Sequence, residues 1–253
     1  MVKSFICVCV IVIGFIVLYT YRYHIKYYIK SGIGKLKFSK NIQKKINSKI
    51  VKRRLKDDEI KWYLNFIDEK LKEYGYKRKK EFKLDSYLKT RLEIAKTDEK
   101  VLKSVLDEIL KYMDMGLDTR IITLVVNNRT YKSRNGIAGS YTENRRKIVV
   151  NIDEESSIDN VISILIHECT HHFLLTKNIK LEDTQKNEYL TDLTTVYLGF
   201  GKYMYKGYKD RGILKYTQEK AYQTIVYIHN DKVGYVGYDD IKYAQKYINK
   251  FLK

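Results

Sequence analysis

The residues best suited to chemistry lie in one apolar stretch, residues 164–175, which reads Ile-Leu-Ile-His-Glu-Cys-Thr-His-His-Phe-Leu-Leu. This composition predicts a buried helix. His167 and His171 are four residues apart, so their imidazoles leave the same helix face and can bind one metal ion. Glu168 lies about 100° further round the helix than His167, beside the metal, where it can take a proton from a metal-bound water. The alternative is a core helix with structural histidines, which needs buried partners for both imidazoles and the carboxylate.

Two histidines leave a zinc site incomplete, so a third ligand is needed. His172 points about 100° away from His171 and cannot reach the same ion. The best candidate is Glu188, which shares a helix face with Asp192 in a segment that is otherwise apolar in its middle. Glu188 then serves as the third ligand, and Asp192 accepts the second N–H of a ligating histidine and fixes its tautomer. An ordinary solvated acidic face is the alternative interpretation of this pair.

Residues 120–201, which contain both motifs, resemble the zincin metallopeptidases of gluzincin type. In that family, a glutamate from a downstream helix joins the two histidines of His-Glu-x-x-His, commonly within Glu-x-x-x-Asp. The matching positions are His167, Glu168, His171, Glu188 and Asp192. The metzincin pattern is excluded, because Leu174 and Lys177 stand where it requires glycine and histidine. The resemblance implies a zincin-like fold, a Zn²⁺ cofactor and a strand antiparallel to bound substrate, a role that residues 137–142 could fill.

The activity that follows is zinc-dependent hydrolysis of a peptide or protein substrate. Zinc on His167, His171 and Glu188 keeps a fourth position for water and lowers the pKa of that water to about 7. Glu168 takes the proton and later passes it to the leaving amine. The oxyanion needs one further donor, and the candidates are His229, Tyr227 and Tyr222. The alternative is a catalytically inactive, membrane-tethered zincin-fold binding or scaffold protein, because a fold does not guarantee activity.

The pattern along the chain predicts an α+β fold that is mostly helical, with a small mixed sheet ahead of the motif helix. Apolar residues at helical spacing predict helices at residues 40–74, 98–115, 216–228 and 239–252. β-Branched residues and polar boundaries predict strands at residues 120–127, 137–142 and 147–152. Ser156-Ser157 offers an N-cap for the motif helix. Gly136 and Gly139 indicate a bulge or a close backbone approach in the second strand.

The N-terminal region predicts attachment to a membrane. Residues 4–21 are uncharged and apolar, at the lower length limit for a bilayer span, and no small-residue cleavage site follows them. Residues 22–56 then carry thirteen Lys or Arg and no acid, out of a formal net charge of +19. Such a run is attracted to anionic headgroups and normally stays cytoplasmic. We therefore expect a single-pass protein with a cytoplasmic catalytic domain; an extracytoplasmic or secreted domain is the alternative.

The basic segment has two other interpretations. It could be a lysine-rich solvated face. Nucleic-acid binding is less favoured, because no recognition motif accompanies the charge and the motif region, residues 151–200, has a net charge of −6. The predicted organisation is an anchor at residues 1–21, a polybasic segment at 22–56, a helical region at 57–116 and a zincin-like catalytic domain at 117–253.

Overall fold

The computed structural model describes residues 54–128, 138–152, 156–209, 214–220, 223–229 and 235–252, which all belong to one compact unit, Ile50–Lys253. The helices are α1 (Asp57–Glu73), α2 (Ser86–Ile94), α3 (Glu99–Tyr112), α4 (Ile158–Thr176), α5 (Thr184–Thr195), α6 (Gly201–Lys209) and α7 (Tyr238–Phe251). The strands are β1 (Thr123–Asn128), β2 (Gly139–Thr142), β3 (Lys147–Ile152), β4 (Leu214–Lys220) and β5 (Gln223–His229). Short 3₁₀ helices cover Gly116–Arg120 and Glu143–Arg145.

A three-stranded mixed sheet lies beside the motif helix, with the strand order β1–β3–β2. β1 runs parallel to β3, and β2 runs antiparallel to β3 with Gly139 opposite Val150. On β3, Ile148, Val150 and Ile152 are buried while the residues between them are half-buried, as the two-residue period of a strand requires. Among the described strands β2 pairs on one side only, so it forms an edge of the sheet.

The motif helix α4 is the centre of the core. Ser157 caps its first turn by accepting a hydrogen bond from the Asn160 amide at 3.1 Å, as the serine pair predicted. Most of its residues are buried, because β2, β3, α3, α5 and α6 pack around it. It ends at Thr176, where Asn178 adopts a left-handed backbone and the Ile179 amide returns to the Leu174 carbonyl.

Helices α5 and α6 follow one another through a kinked turn, Val196–Phe200. Gly199 has a φ of +99° there, a conformation that side chains rarely adopt. A Cβ at this position would also lie 2.5 Å from the Tyr112 hydroxyl and 2.9 Å from the Lys80 carbonyl oxygen. The glycine therefore permits both the kink and the close packing that redirect the chain after α5.

Several predicted elements are confirmed and two are corrected. The strands predicted at 120–127, 137–142 and 147–152 correspond to β1, β2 and β3, and the helices predicted at 98–115 and 239–252 correspond to α3 and α7. The helix predicted at 216–228 is wrong: β4 and β5 form an antiparallel hairpin, which suits the β-branched and aromatic run at residues 224–228. The helix predicted at 40–74 begins at Asp57, after an extended Lys56, and residues 40–53 lie outside the described part.

Helix α2 was not predicted, because it has no apolar stripe and buries only Leu92. Asp85 caps it by accepting hydrogen bonds from the amides of Tyr87 and Leu88.

Residues of the region 57–116 and of the region 117–253 contribute to one hydrophobic core. In the part of the chain that the structure describes, no helix is both long and apolar enough to cross a membrane; the predicted anchor, residues 1–21, lies outside it.

Candidate metal centre

Three side chains from two helices converge at one point beside α4. His167 and His171 are one turn apart on α4, and their Nε2 atoms are 3.0 Å apart. Glu188 extends from the first turns of α5, and its Oε2 lies 3.2 Å from each of those two nitrogens. Within the described ranges, this is the one group of three metal-ligating residues whose donor atoms all lie within 4.8 Å of one another.

The outer nitrogen of each imidazole already has a partner. His167 Nδ1 lies 2.8 Å from Oδ1 of Asp192, an acceptor, so this nitrogen donates its proton. His171 Nδ1 lies 3.3 Å from the Thr191 hydroxyl, which itself donates to the Asn187 carbonyl and is left as an acceptor. Both imidazoles therefore direct Nε2 at the Glu188 carboxylate, and three electron-pair donors meet at one point.

The electrostatics of this point favour positive charge. Burial alone lowers the pKa of His167, but its hydrogen bonds with Asp192 and Glu188 outweigh burial and raise the pKa to about 10. Burial alone raises the pKa of Glu188, but hydrogen bonds with His167 and His171 outweigh it and lower the pKa to about 2. The carboxylates thus favour a cation between the side chains, either a proton or a metal ion.

The donor set fits zinc. Two imidazole nitrogens and one carboxylate oxygen are a common protein ligand set for catalytic zinc. Bonds of about 2.0–2.1 Å at tetrahedral angles separate neighbouring ligand atoms by roughly 3.3 Å. The separations of 3.0–3.2 Å among the three donor atoms approach that value. Three protein ligands also leave a fourth position for a small molecule.

Glu168 lies against the edge strand β2. Its side chain is buried, and burial raises the pKa of its carboxyl group while the neighbouring His167 and His171 oppose that shift. The backbone of β2 passes directly over it: a Cβ on Gly139 would lie 2.5 Å from Oε1 of Glu168 and 2.8 Å from Cγ2 of Ile164. The close backbone approach predicted for Gly139 is therefore confirmed, and its neighbour is the carboxylate expected to act as base.

Asp192 connects the motif helix α4 to two other segments. Oδ1 accepts hydrogen bonds from His167 Nδ1 and from the Tyr208 hydroxyl on α6. Oδ2 accepts from the amides of Tyr235 and Val236 at 2.6 and 2.9 Å. This buried carboxylate therefore orients His167 and also holds the segment before α7 against the site.

Tyr235 is the site residue that sequence reasoning missed. Its ring lies nearly parallel to the His167 imidazole, with centroids 6.1 Å apart. Burial, followed by the carboxylates of Glu188, Asp192 and Glu168, raises the pKa of its phenol. The hydroxyl therefore stays protonated, as a hydrogen-bond donor must. Nothing local distinguishes Tyr235 among 24 tyrosines, because its position depends on the backbone hydrogen bond to Asp192.

The side chains of the three predicted oxyanion donors lie outside the part of the chain that the structure describes. Tyr222 is among the residues that the structure does not describe. The backbones of Tyr227 and His229 belong to β5, but their side chains are not described. Their predicted role stays a prediction.

The resemblance to gluzincins stays a prediction as well, carried by five side chains: His167, Glu168, His171, Glu188 and Asp192. The structure brings all five into one cluster, with His172 directed elsewhere. Comparison with family models, curated proteins and solved structures finds no match to this chain.

Proposed function

We propose that this protein is a membrane-anchored zinc metallopeptidase that hydrolyses peptide bonds with Glu168 as general base. The observation that carries the proposal is the convergence of His167 Nε2, His171 Nε2 and Glu188 Oε2 within 3.0–3.2 Å, next to the buried Glu168 carboxylate. When bound, Zn²⁺ supplies Lewis-acid activation of water and charge stabilisation for an oxyanion. The anchor and the cytoplasmic orientation are proposed from residues 1–56 of the sequence.

In this proposal each side chain has a distinct task. His167, His171 and Glu188 hold the cation, and Asp192 keeps His167 in the tautomer that presents Nε2. Glu168 accepts a proton from the attacking water and later gives it to the leaving amine nitrogen. Its raised pKa favours the first of these transfers, because a stronger base takes a proton from water more readily.

The edge strand and Tyr235 are proposed to bind the substrate. β2 pairs with β3 on one side, and its other edge can hydrogen-bond an extended peptide. Because Gly139 brings this backbone against Glu168, a peptide paired with β2 would pass the base. The Tyr235 hydroxyl is the proposed oxyanion donor, because its ring lies beside the His167 imidazole and its phenol stays protonated.

The test compares Glu168→Gln with the wild-type full-length chain, purified in detergent and loaded with zinc. Bound zinc is measured by mass spectrometry, and cleavage of a degenerate peptide library is measured with and without a chelator. We expect one zinc per chain in both proteins, and chelator-sensitive cleavage by the wild type alone. Glu182→Gln, at an exposed position outside the motif helix, is the matched control and should cleave normally.

Two outcomes would contradict the proposal. Loss of zinc together with activity in Glu168→Gln would show that Glu168 holds the metal or the fold. Full zinc occupancy with no cleavage by the wild type would favour the scaffold interpretation.

A further inference from the structure

His172 follows a predicted metal ligand, yet it faces a different part of the molecule. Its side chain is buried on α4, and its Nδ1 lies 2.8 Å from the hydroxyl of Tyr141 on β2. On the other side, its Nε2 faces Oδ2 of Asp118 at 3.4 Å, from the 3₁₀ helix that precedes β1, within electrostatic range but without the geometry of a hydrogen bond. This histidine therefore connects the motif helix to two neighbouring elements.

The carboxylate that faces Nε2 of His172 determines which nitrogen of the imidazole carries the proton. A carboxylate can only accept, so the Asp118 oxygen favours the tautomer of His172 with its proton on Nε2. Nδ1 then carries a lone pair and accepts the hydrogen bond that the Tyr141 hydroxyl donates. With this tautomer the Tyr141 hydroxyl on the strand is the donor and the His172 imidazole on the helix is the acceptor, so the hydrogen bond requires the phenol O–H.

The residue spacing along β2 matches the residue spacing along α4, so the Tyr141–His172 contact lies beside the contact between Gly139 and Glu168. Gly139 and Tyr141 are two residues apart on β2, about 6.8 Å along an antiparallel strand. Glu168 and His172 are four residues apart on α4, about 6.0 Å along the helix axis. Gly139 faces Glu168 and Tyr141 faces His172, so β2 contacts α4 at two matched points. The first contact is steric and the second is a hydrogen bond.

We propose that Tyr141 and His172 are a positioning pair that fixes the substrate-binding edge strand relative to Glu168. The proposal rests on the proposed peptidase function. Gly139 lets the strand approach the base, but a glycine cannot hold it there. The Tyr141–His172 hydrogen bond fixes β2 to α4 two residues further along the strand. The distance from a peptide paired with β2 to the Glu168 carboxylate therefore depends on this hydrogen bond.

The test is Tyr141→Phe, which keeps the ring and removes the hydroxyl. In the zinc-loaded full-length protein without substrate, we expect roughly tenfold faster amide hydrogen exchange in the segment that contains β2, the effect of losing one hydrogen bond. Zinc affinity should not change. For an extended peptide substrate kcat/KM should fall roughly tenfold through both a higher KM and a lower kcat, because the strand binds the peptide and also sets its distance from Glu168.

Two further variants separate positioning from general stability. Tyr197→Phe removes another tyrosine hydrogen bond, 2.7 Å long, to buried Asp68, and should leave exchange in β2 and the KM unchanged. His172→Asn retains an acceptor near the Nδ1 position and should keep most of the protection of β2, whereas His172→Leu should lose it. Wild-type exchange in Tyr141→Phe would overturn the inference, as would reduced zinc affinity. Faster exchange in a chain that cleaves nothing would instead contradict the proposed function.

Discussion

The substitution Gly139→Ala places a methyl group where β2 meets the proposed base. That methyl would lie 2.5 Å from Oε1 of Glu168, about 0.9 Å closer than the 3.4 Å at which ordinary contact begins. Ile164 blocks a second direction at 2.8 Å, so either the carboxylate or the strand must move by nearly that distance. A displacement of about 1 Å at a reacting group can lower a rate roughly a hundredfold. Overpacking of this kind also costs about 1–3 kcal/mol of stability.

We therefore expect Gly139→Ala to bind zinc with wild-type affinity and to lower kcat roughly a hundredfold. The assay measures zinc binding by competition with a chromophoric chelator, peptide hydrolysis under saturating zinc, and unfolding by denaturant. Gly116→Ala is the matched control, because a Cβ there would meet only Lys111 Cγ at 3.5 Å, an ordinary contact. If Gly139→Ala retained kcat within about twofold and unfolded like the wild type, the backbone of β2 would not lie against Glu168, and the reasoning would fail.

Other predictions follow from the surroundings of the three donor atoms. Asp192→Asn should weaken zinc binding about 10–100-fold, because an amide cannot accept from all four donors around that carboxylate. Asp68→Asn keeps one acceptor oxygen for the two donors Tyr197 and Lys72, and should lower stability without changing zinc affinity in the same competition assay. Tyr235→Phe should lower kcat by roughly 10²–10³-fold at unchanged zinc content, and a change in KM alone would contradict a role at the oxyanion. Removal of zinc by a chelator should lower the thermal unfolding midpoint, and free zinc at about 100 times its Kd should restore about 2.7 kcal/mol in calorimetry.

Local spacing predicted the parts of the site that one helix determines. His167 and His171 share a face because four residues nearly complete a helical turn, and their Nε2 atoms lie 3.0 Å apart. Ser157 caps the same helix as expected. The proximity of Glu188 was also anticipated, although sequence spacing alone could not establish it, because α5 packs against α4 through tertiary contacts.

Sequence reasoning failed where long-range contacts decide the structure. The hairpin β4–β5 contradicts the helix predicted at residues 216–228: the apolar residues there also fit a helical period, and strand pairing overrides that pattern. The partners of His172, Tyr141 and Asp118, are 31 and 54 residues away in the chain, so no local pattern connects them. Tyr235 is held at the site by its own amide rather than by its side chain, which a residue pattern cannot reveal.

The central claim is that two imidazoles and the Glu188 carboxylate bind one zinc ion that has an open position. X-ray absorption at the zinc K edge of the full-length protein, compared with its Glu188→Ala variant, tests it most directly. We expect a four-coordinate zinc with two imidazole ligands and oxygen donors at about 2.0–2.2 Å, and loss of a protein oxygen ligand with weaker binding in the variant. Sulfur ligands, or a spectrum and an affinity that Glu188→Ala leaves unchanged, would contradict the account.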